Sequence, residues 1–568
     1  MKKETDHIVY TNKALCRDCN KCVRVCPVNA IKINNAQAQV ISEKCIDCGA
    51  CVLECPQGAK TYTSYINQVE KLIREDPVVI ATIAPSFASV YEKWQVKRFP
   101  SVLRMAGFDK ITETASGAYY SAVKTKEYID ENPNRSHLCT ACPAVVSYVE
   151  KYCPSLIDNL VPVVSPVIAH AKMLKHKYPG CKIVFIGPCI AKIKEVQRSE
   201  FKGLVDAAIT FEHLADFLVN RKIKFDNCEE SYFDEIPPGE SRLFPLEGGL
   251  MRTAGMSTDI LDNNYLSISG PKNVQQALSL IHNESGNIVV EPLYCKHGCI
   301  NGPAIPKDIN AFKGKQDIIN YSKKNKVNNY ESVHKTPELS TKFCKNASLN
   351  QIKYTEEQIY DVLKKTGKNT KENELNCGGC GYDTCRLKAM AVLEGIAEVE
   401  MCIPYMRRLA EKRSHLIIEK DPNGIVILDD KLRIRQMNPA FKKMFFCSDS
   451  TLDQHISYLV DALPFEKLLV NPDDVIREEV KLPNYNIICH QFCYSIPEEN
   501  KYIGIFIDIT EFRNNSTRLT EIKTDTIIKA HELIDHQIKM AQEQVKFLGE
   551  STAKGEVLLQ RLIDAIER

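Results

Sequence analysis

The chain is 568 residues long, too long for one hydrophobic core, and its 44% hydrophobic and 26% charged residues describe a globular polypeptide of several domains. Lys+Arg 74 against Asp+Glu 72 leaves a net charge of +2, which removes the electrostatic argument for a nucleic-acid or anionic-membrane partner. No apolar run approaches the roughly 20 residues that span a bilayer. The start, MKKETDHIVYTNKALCRDC, has no apolar stretch of the secretory kind, so the expected location is the cytoplasm. There 24 cysteines cannot be a disulfide framework, and metal ligation is the remaining explanation for so many thiols.

In chain order, Cys16, Cys19, Cys22 and Cys26 form C-x2-C-x2-C-x3-C followed by Pro27, and Cys45, Cys48, Cys51 and Cys55 repeat it before Pro56. Two-residue gaps let one tight loop aim three thiolates at one cluster. This double run resembles the two-cluster 4Fe-4S ferredoxins, in which the fourth cysteine of each run ligates the other cluster. A zinc ribbon would instead show paired CxxC units. Such a domain moves single electrons and has no substrate pocket of its own.

From about 70 to 345 the pattern is α/β. Apolar strand-like runs VVIATIAPS (78–86), KIVFIGPC (182–189) and NIVVEPLYC (287–295) alternate with helical stretches such as VSYVEKY (146–152). Cysteines at strand ends sit where ligands collect in open α/β sheets. The loops LCTACPAVVSYVEKYCPSL (138–156), GPCIAKIKE (187–195) and EPLYCKHGCINGP (291–303) resemble, in order and flanks, the active-site domain of FeFe hydrogenases. The resemblance implies that Cys142, Cys189, Cys295 and Cys299 hold a 4Fe-4S cluster. It further implies that Cys299 bridges to a diiron subcluster carrying CO and CN ligands, and that Lys192 donates to a cyanide. An ammonium suits that anion, and a buried lysine needs an anionic partner. A bare 4Fe-4S site, as in relatives that work in iron–sulfur assembly, is the alternative. The departures from active hydrogenases are Ala141 where a proton-passing cysteine is usual, Gly187 and Leu293 where methionines are usual, and Lys124 where the acidic relay helix is expected to show glutamate. Ser165 is retained. General acid–base relays typically contribute 10²–10⁴-fold in rate, so this pattern implies a gas-binding centre that turns over slowly.

Cys377, Cys380, Cys385 and Cys402 form C-x2-C-x4-C-x16-C in 376–404, which suggests a further 4Fe-4S cluster, with zinc as the alternative. Before it, TEEQIYDVLKKTGK (355–368) reads as a helix capped at Thr355. The remaining cysteines, Cys139, Cys153, Cys181, Cys228, Cys344, Cys447, Cys489 and Cys493, form no further ligand set and read mostly as small hydrophobes, with Cys139 weighed as a stand-in proton carrier. His137 and His297 read as satisfied polar residues.

Residues 413–513 carry the pattern of a PAS domain. DPNGIVILDDKLRIRQMNPAFKKMF (421–445) gives two strands around Asp429-Asp430 and a helix opened by Asn438-Pro439-Ala440. NIICHQFCYSIP (486–497) and KYIGIFIDITEF (501–512) give the closing antiparallel strands, and Asp508-Ile509-Thr510 is the hand-over to an output helix. Farther on, Ile527, Ile534, Ala541 and Leu548, with Ile538 and Val545, mark a short coiled-coil stripe, against which a helix packed on the PAS surface is weighed.

The expected architecture is multidomain α/β and α+β: a two-cluster ferredoxin domain (1–65), a two-lobed hydrogenase-like domain (70–345), a 4Fe-4S module (355–412), PAS (413–513) and a helical output segment (514–568). This order resembles sensory FeFe hydrogenases. It implies slow, reversible H2 oxidation, a redox partner such as ferredoxin, a signalling kinase or phosphatase, a homodimer through the C-terminal helix, and neither nucleic acid nor membrane. A catalytic ferredoxin-linked hydrogenase and a non-catalytic iron–sulfur scaffold or assembly protein are the alternatives.

Overall fold

A computed structural model describes residues 8–259, 261–283, 286–323, 337–345 and 354–510, together with a few isolated helical positions beyond 528. It divides into two compact units, Met1–Met401 and Cys402–Arg568. Among the described residues no helix is long and apolar enough to cross a membrane.

In the first unit, strands β1 (Val9–Thr11), β2 (Ile31–Asn34), β3 (Gln37–Val40) and β4 (Lys60–Tyr62) pair antiparallel as β1–β4 and β2–β3. Each cysteine run wraps a five-residue helix, Lys21–Val25 or Ala50–Glu54. The N-cap residues Asn20 and Gly49 occupy the same repeat position and both adopt left-handed backbone, φ 54° and 75°. That turn brings three closely spaced thiols to one side of the loop.

Next, β5 (Val79–Ile83), β6 (Lys110–Glu113), β8 (Lys182–Gly187) and β9 (Ala207–Thr210) form a parallel sheet in the order β6-β5-β8-β9. A second parallel sheet has the order β10-β11-β7, from β7 (His137–Leu138), β10 (Tyr265–Ser269) and β11 (Val289–Leu293). The two sheets are the two lobes expected. Every residue of β5, β9 and β11 is buried, as strands covered on both faces require. Helices Ala115–Glu131 and Pro166–Lys177 cross closely at Gly117, where a Cβ would lie 2.3 Å from the Pro166 carbonyl oxygen.

The helix at 355–368 is present as Glu356–Lys365. Thr355 and Gln358 form a reciprocal capping box. Its neighbour Cys385–Leu393 belongs to a module that seats on the ferredoxin domain: Ile33 N–H donates to the Ile396 carbonyl at 3.2 Å, and Lys44 pairs with Glu394 at 2.5 Å. Gly381, at φ 94°, meets Val23 so closely that a Cβ would lie 2.7 Å from it.

The second unit is an antiparallel sheet in the order β13-β12-β16-β15-β14, formed by β12 (Gly424–Leu428), β13 (Ile434–Met437), β14 (Val475–Leu482), β15 (Ile487–Ile496) and β16 (Lys501–Asp508). Phe441, Phe445, Phe465 and Phe506 fill its core, and Cys489 and Cys493 are fully buried among them as small apolar side chains. The strands around Asp429-Asp430 and the helix Pro439–Met444 lie where the pattern placed them. β14 was not foreseen. It is an edge strand whose Arg477, Glu478 and Glu479 hide the alternation, and charge on an edge blunts unwanted pairing. Thr510 donates from Oγ1 to Asp508 Oδ1 at 2.5 Å and accepts the Ile488 N–H at 2.9 Å, tying the strand end to β15. The heptad stripe beyond it falls, except for Ile534, outside the described residues.

Asn438 is the hinge pin of this unit. Its Oδ1 accepts N–H bonds from Ile425 and Phe441 at 2.8 Å, and its Nδ2 donates to the carbonyls of Ile418, Asp421 and Asn423. Asn438→Ala is expected to cost about 2–3 kcal/mol, because a cap and several buried backbone partners are lost together. Urea unfolding of the full chain, followed by a probe in this sheet, measures it.

Candidate functional site

The cysteine loops converge at the C-terminal ends of the central strands. Cys142 caps the helix Pro143–Tyr152, Cys189 follows β8 and caps Ile190–Glu195, and Cys299 opens a short turn after β11 and Cys295. Thr140 anchors the first loop by donating toward the carbonyls of Val161 and Val163 at 3.1 and 2.8 Å. The third is anchored by the Cys299 N–H, which donates to the Pro245 carbonyl at 2.8 Å. Gly298 (φ 85°) allows that approach, since a Cβ there would sit 2.4 Å from the same oxygen.

Cys142, Cys189, Cys295, Cys299 and Lys192 all line one cavity that opens to solvent. The rest of its wall is chiefly apolar and includes Ala115, Ala118, Ala141, Phe185, Phe244 and Leu293. Lys192 is buried; its Nζ donates to Glu195 Oε2 at 2.8 Å and to the Ala141 carbonyl at 3.2 Å, and Ser165 Oγ donates to the same Glu195 oxygen at 3.0 Å. Burial pushes the Cys189 thiol up to about 12 and the Cys295 and Cys299 thiols upward as well, with neighbouring thiols adding to it and Lys192 opposing it at Cys189 and Cys299. Thiols so placed ionise only against strong positive charge, which is what a ligated metal cluster provides. Two buried hydroxyls on the wall, Ser86 Oγ and Tyr294 Oη, have no hydrogen-bond partner among the described residues. Four thiols, an ammonium and two unpartnered hydroxyls around an apolar space fit a thiolate-held cluster carrying anionic ligands. Among the described residues no three His, Cys, Asp or Glu side chains close on a single metal ion.

The ferredoxin domain abuts this cavity. Cys48 is part of its wall, and a Cβ at Gly49 would lie 2.5 Å from Pro303 and 2.9 Å from Ile190. Within that domain the buried Lys60 donates to Thr11 Oγ1 at 2.5 Å. Burial raises Cys22 to about 11 and Cys51 to about 12, partly offset by the Lys60 charge. Cys16, Cys19, Cys26, Cys45 and Cys55 complete the two runs, Cys55 being held below the ordinary thiol value because backbone N–H bonds and Lys60 outweigh its burial. Arg24 of the ferredoxin domain donates to the carbonyls of Cys19 and, across to the third module, of Gly379, in the loop that carries Cys377 and Cys380. Cys385 begins its helix, and Cys402 is the buried N-cap of helix Ile403–Lys420 in the second unit.

Two of the departures, and the role weighed for Cys139, acquire a physical meaning. Gly187 carries no side chain because the Phe185 ring fills the space: a Cβ would meet it at 2.5 Å. Lys124 is half-exposed and pairs with Glu127 at 2.9 Å on the helix surface, away from the cavity wall. Cys139 packs in an apolar cluster with Ala118, Ala122 and Val161 and is absent from the wall, which removes the stand-in role weighed for it. Sequence reasoning missed Glu195, though GPCIAKIKE places it one helical turn after Lys192. It also missed Glu291, fully buried on β11, whose carboxylate accepts the N–H groups of Leu250 and Met251 at 3.1 and 3.0 Å and is pushed by burial to about 7.

Residues 77–303 match the family model for the iron only hydrogenase large subunit, C-terminal domain; residues 8–56 match a 4Fe-4S dicluster domain, and 373–404 an Fe-S cluster family. The cytosolic Fe-S cluster assembly factor NAR1 of Kluyveromyces lactis is 34% identical over 107 residues, 19% of this chain and 23% of that protein. The NADP-reducing hydrogenase subunit HndD of Solidesulfovibrio fructosivorans is 26% identical over 274 residues, 42% of each chain. This chain thus spans less than half the length of both. A variant of the FeFe hydrogenase HydA1 from Chlamydomonas reinhardtii aligns in structure with a TM-score of 0.39 and 19% identity, over 46% of this chain and 91% of that one.

Proposed function

We propose that this chain, a relative of the FeFe hydrogenases with an iron-only hydrogenase large-subunit domain and a 4Fe-4S dicluster domain, is a sensory hydrogenase of the cytoplasm. In this reading it binds H2 and slowly, reversibly oxidises it, then relays the redox change to a signalling partner. The observation that carries the reading is one cavity lined by four cysteines from three separated loops together with Lys192.

Cys142, Cys189, Cys295 and Cys299 would hold a 4Fe-4S cluster, with Cys299 shared with a diiron subcluster bearing CO and CN. When bound, that subcluster supplies the iron at which H2 is split. The chain's own residues do the rest. Lys192 keeps one N–H free for an anionic ligand after donating to Glu195 and Ala141. The apolar wall excludes water, which strengthens that bond. Cys48 in the cavity wall supports a short electron path into the ferredoxin runs Cys16–Cys26 and Cys45–Cys55. Cys377, Cys380 and Cys385 belong to a module seated on the ferredoxin domain, where Arg24 donates to the carbonyls of Cys19 and Gly379; a third cluster at Cys377, Cys380, Cys385 and Cys402 is part of the proposal. The domain limits 1–65, 70–345, 355–412, 413–513 and 514–568 are part of the proposal, as are PAS as a relay, a kinase or phosphatase as partner, and a homodimer. The sheet order β13-β12-β16-β15-β14 and the Asp508–Thr510 lock support PAS. Ala141, which cannot titrate, supports slow turnover over a catalytic ferredoxin-linked enzyme.

A second reading, a non-catalytic iron–sulfur assembly or scaffold protein, is favoured by the likeness to NAR1. Infrared spectroscopy of the fully matured chain separates them. Bands from CO and CN on iron, with H2-evolution rates from reduced ferredoxin well below those of catalytic hydrogenases, are the expected result. Ordinary cubanes alone, with no such bands, would favour the scaffold; rapid turnover would favour the catalytic enzyme.

A further inference from the structure

Splitting H2 releases two protons and two electrons, and a centre inside an apolar cavity needs a hydrogen-bonded route by which protons leave. Ala141 cannot supply one, and Lys124 lies on the surface. A different set of side chains reaches the cavity wall. Thr114, at the end of β6, lines the cavity. Its Oγ1 is 2.9 Å from Thr82 Oγ1, which is 2.7 Å from His170 Nδ1. The other ring nitrogen, His170 Nε2, is 2.5 Å from Glu235 Oε1. Thr82 and His170 are wholly buried, Thr114 is nearly so, and the Glu235 side chain is 14% exposed. Four polar side chains from β5, the end of β6, helix Pro166–Lys177 and the 228–240 loop thus make one unbroken chain from solvent to the cavity.

A purely structural histidine would be satisfied by its carboxylate and one hydroxyl. Here the chain continues through a second hydroxyl and ends at the wall. The packing is also adapted to it: only glycine at 117 lets helix Ala115–Glu131 approach His170, because a Cβ there would lie 2.5 Å from the His170 backbone nitrogen and Cβ. Burial by itself would raise the Glu235 carboxyl. The adjacent His170, with hydrogen bonds from His170 and Ser116 and a contribution from Lys177, outweighs it and holds the carboxyl below its ordinary value. The outer end therefore carries an anion that attracts and hands on protons.

We propose that Glu235, His170, Thr82 and Thr114 form the proton route between the surface and the cavity, a deduction that rests on the hydrogenase reading above. Outward, a proton released in the cavity is taken by Thr114 Oγ1 as that hydroxyl passes its own to Thr82 Oγ1. Thr82 passes one to His170 Nδ1, and Nε2–H passes one to Glu235 Oε1, from which water removes it. One proton crosses per shift, no electron moves along the chain, and hydroxyl and ring reorientation resets it. Inward transfer is the reverse.

The test uses the full chain matured with the diiron unit and compares Glu235→Gln, Thr82→Val, Thr114→Val and the conservative Thr114→Ser. Isotope exchange between H2 and D2O requires protons to reach the centre, whereas CO binding does not. Exchange is expected to fall about 10²-fold in the Gln and Val variants, the size of a lost acid–base relay. Thr114→Ser should recover most of it, and CO binding and the CO and CN infrared bands should be unchanged throughout. Independently of turnover, the infrared difference spectrum between H2 and N2 should contain a carboxyl band that Glu235→Gln removes. Unchanged exchange in the Val variants, with intact bands, overturns the route alone. Absence of CO and CN bands from the parent chain overturns the hydrogenase reading and the route with it.

Discussion

Lys192→Met, matured in parallel with the parent chain, is expected to lose the infrared bands of the diiron unit and all H2-dependent reduction of the cubanes. It should also be less stable by about 3–5 kcal/mol, the usual cost of removing one member of a buried ion pair. The two losses have different origins. Lys192 and Glu195 are both buried, with side chains 10% and 7% exposed. Removing the ammonium leaves the Glu195 carboxylate, among the described residues, with the Ser165 hydroxyl at 3.0 Å, and a buried charge without its counter-ion is what destabilises. The functional loss comes from the donor that faces the cavity. Lys192→Met combined with Glu195→Gln separates them: most of the stability should return, because no charge is left unpaired, while the diiron bands stay absent. Urea unfolding reads the first effect and infrared spectroscopy the second. A double variant that regained the bands would show that the ammonium is a structural partner of Glu195 and nothing more.

Arg242→Leu carries the other large effect. Glu113 is completely buried at the end of β6, and Arg242 reaches it with Nε at 3.2 and 3.0 Å from its two carboxylate oxygens. The guanidinium also lies 4.6 Å from the centre of the Tyr321 ring. Burial would lower the arginine's pKa, and the facing carboxylate more than restores it. Loss of the arginine leaves the buried Glu113 carboxylate without its facing cation, the Tyr321 hydroxyl being a weaker substitute, for an expected cost of about 3–5 kcal/mol. Arg242→Leu with Glu113→Leu should be nearly neutral, since two apolar groups of fair size replace a matched pair. The location matters to the site. Arg242 precedes Phe244 and Pro245, both on the cavity wall, and the Pro245 carbonyl holds the Cys299 N–H. The single variant should therefore also expose the cavity thiols, read as faster labelling of the unmatured chain by a thiol reagent. Parent-like unfolding and labelling would show that this pair anchors nothing.

Local chemistry made much of this legible. Cysteines separated by two residues come to one side of a tight loop, and the left-handed turns at Asn20 and Gly49 are the backbone consequence. Thr355 and Gln358 are near enough in sequence to cap their own helix, and Asn438 before Pro439 announces a helix start. β14 was illegible for an equally local reason: the charges suited to an edge strand erase the alternation that identifies a strand.

The sequence by itself determined the cysteine-bearing loops and the residue types available for metal chemistry, because each depends on neighbours within a turn or two. Only the tertiary structure decided which loops share a cavity, that Cys48 reaches it, that Glu195 and the Ala141 carbonyl hold Lys192, and that Cys139 packs in an apolar cluster instead. The hydrogen-bonded chain from Glu235 to Thr114 joins residues 65, 88 and 32 positions apart. Contacts of that span follow from strand order and from how closely two helices can cross. Those are set when sheets and helices compete for the same buried space, and no local pattern records the outcome.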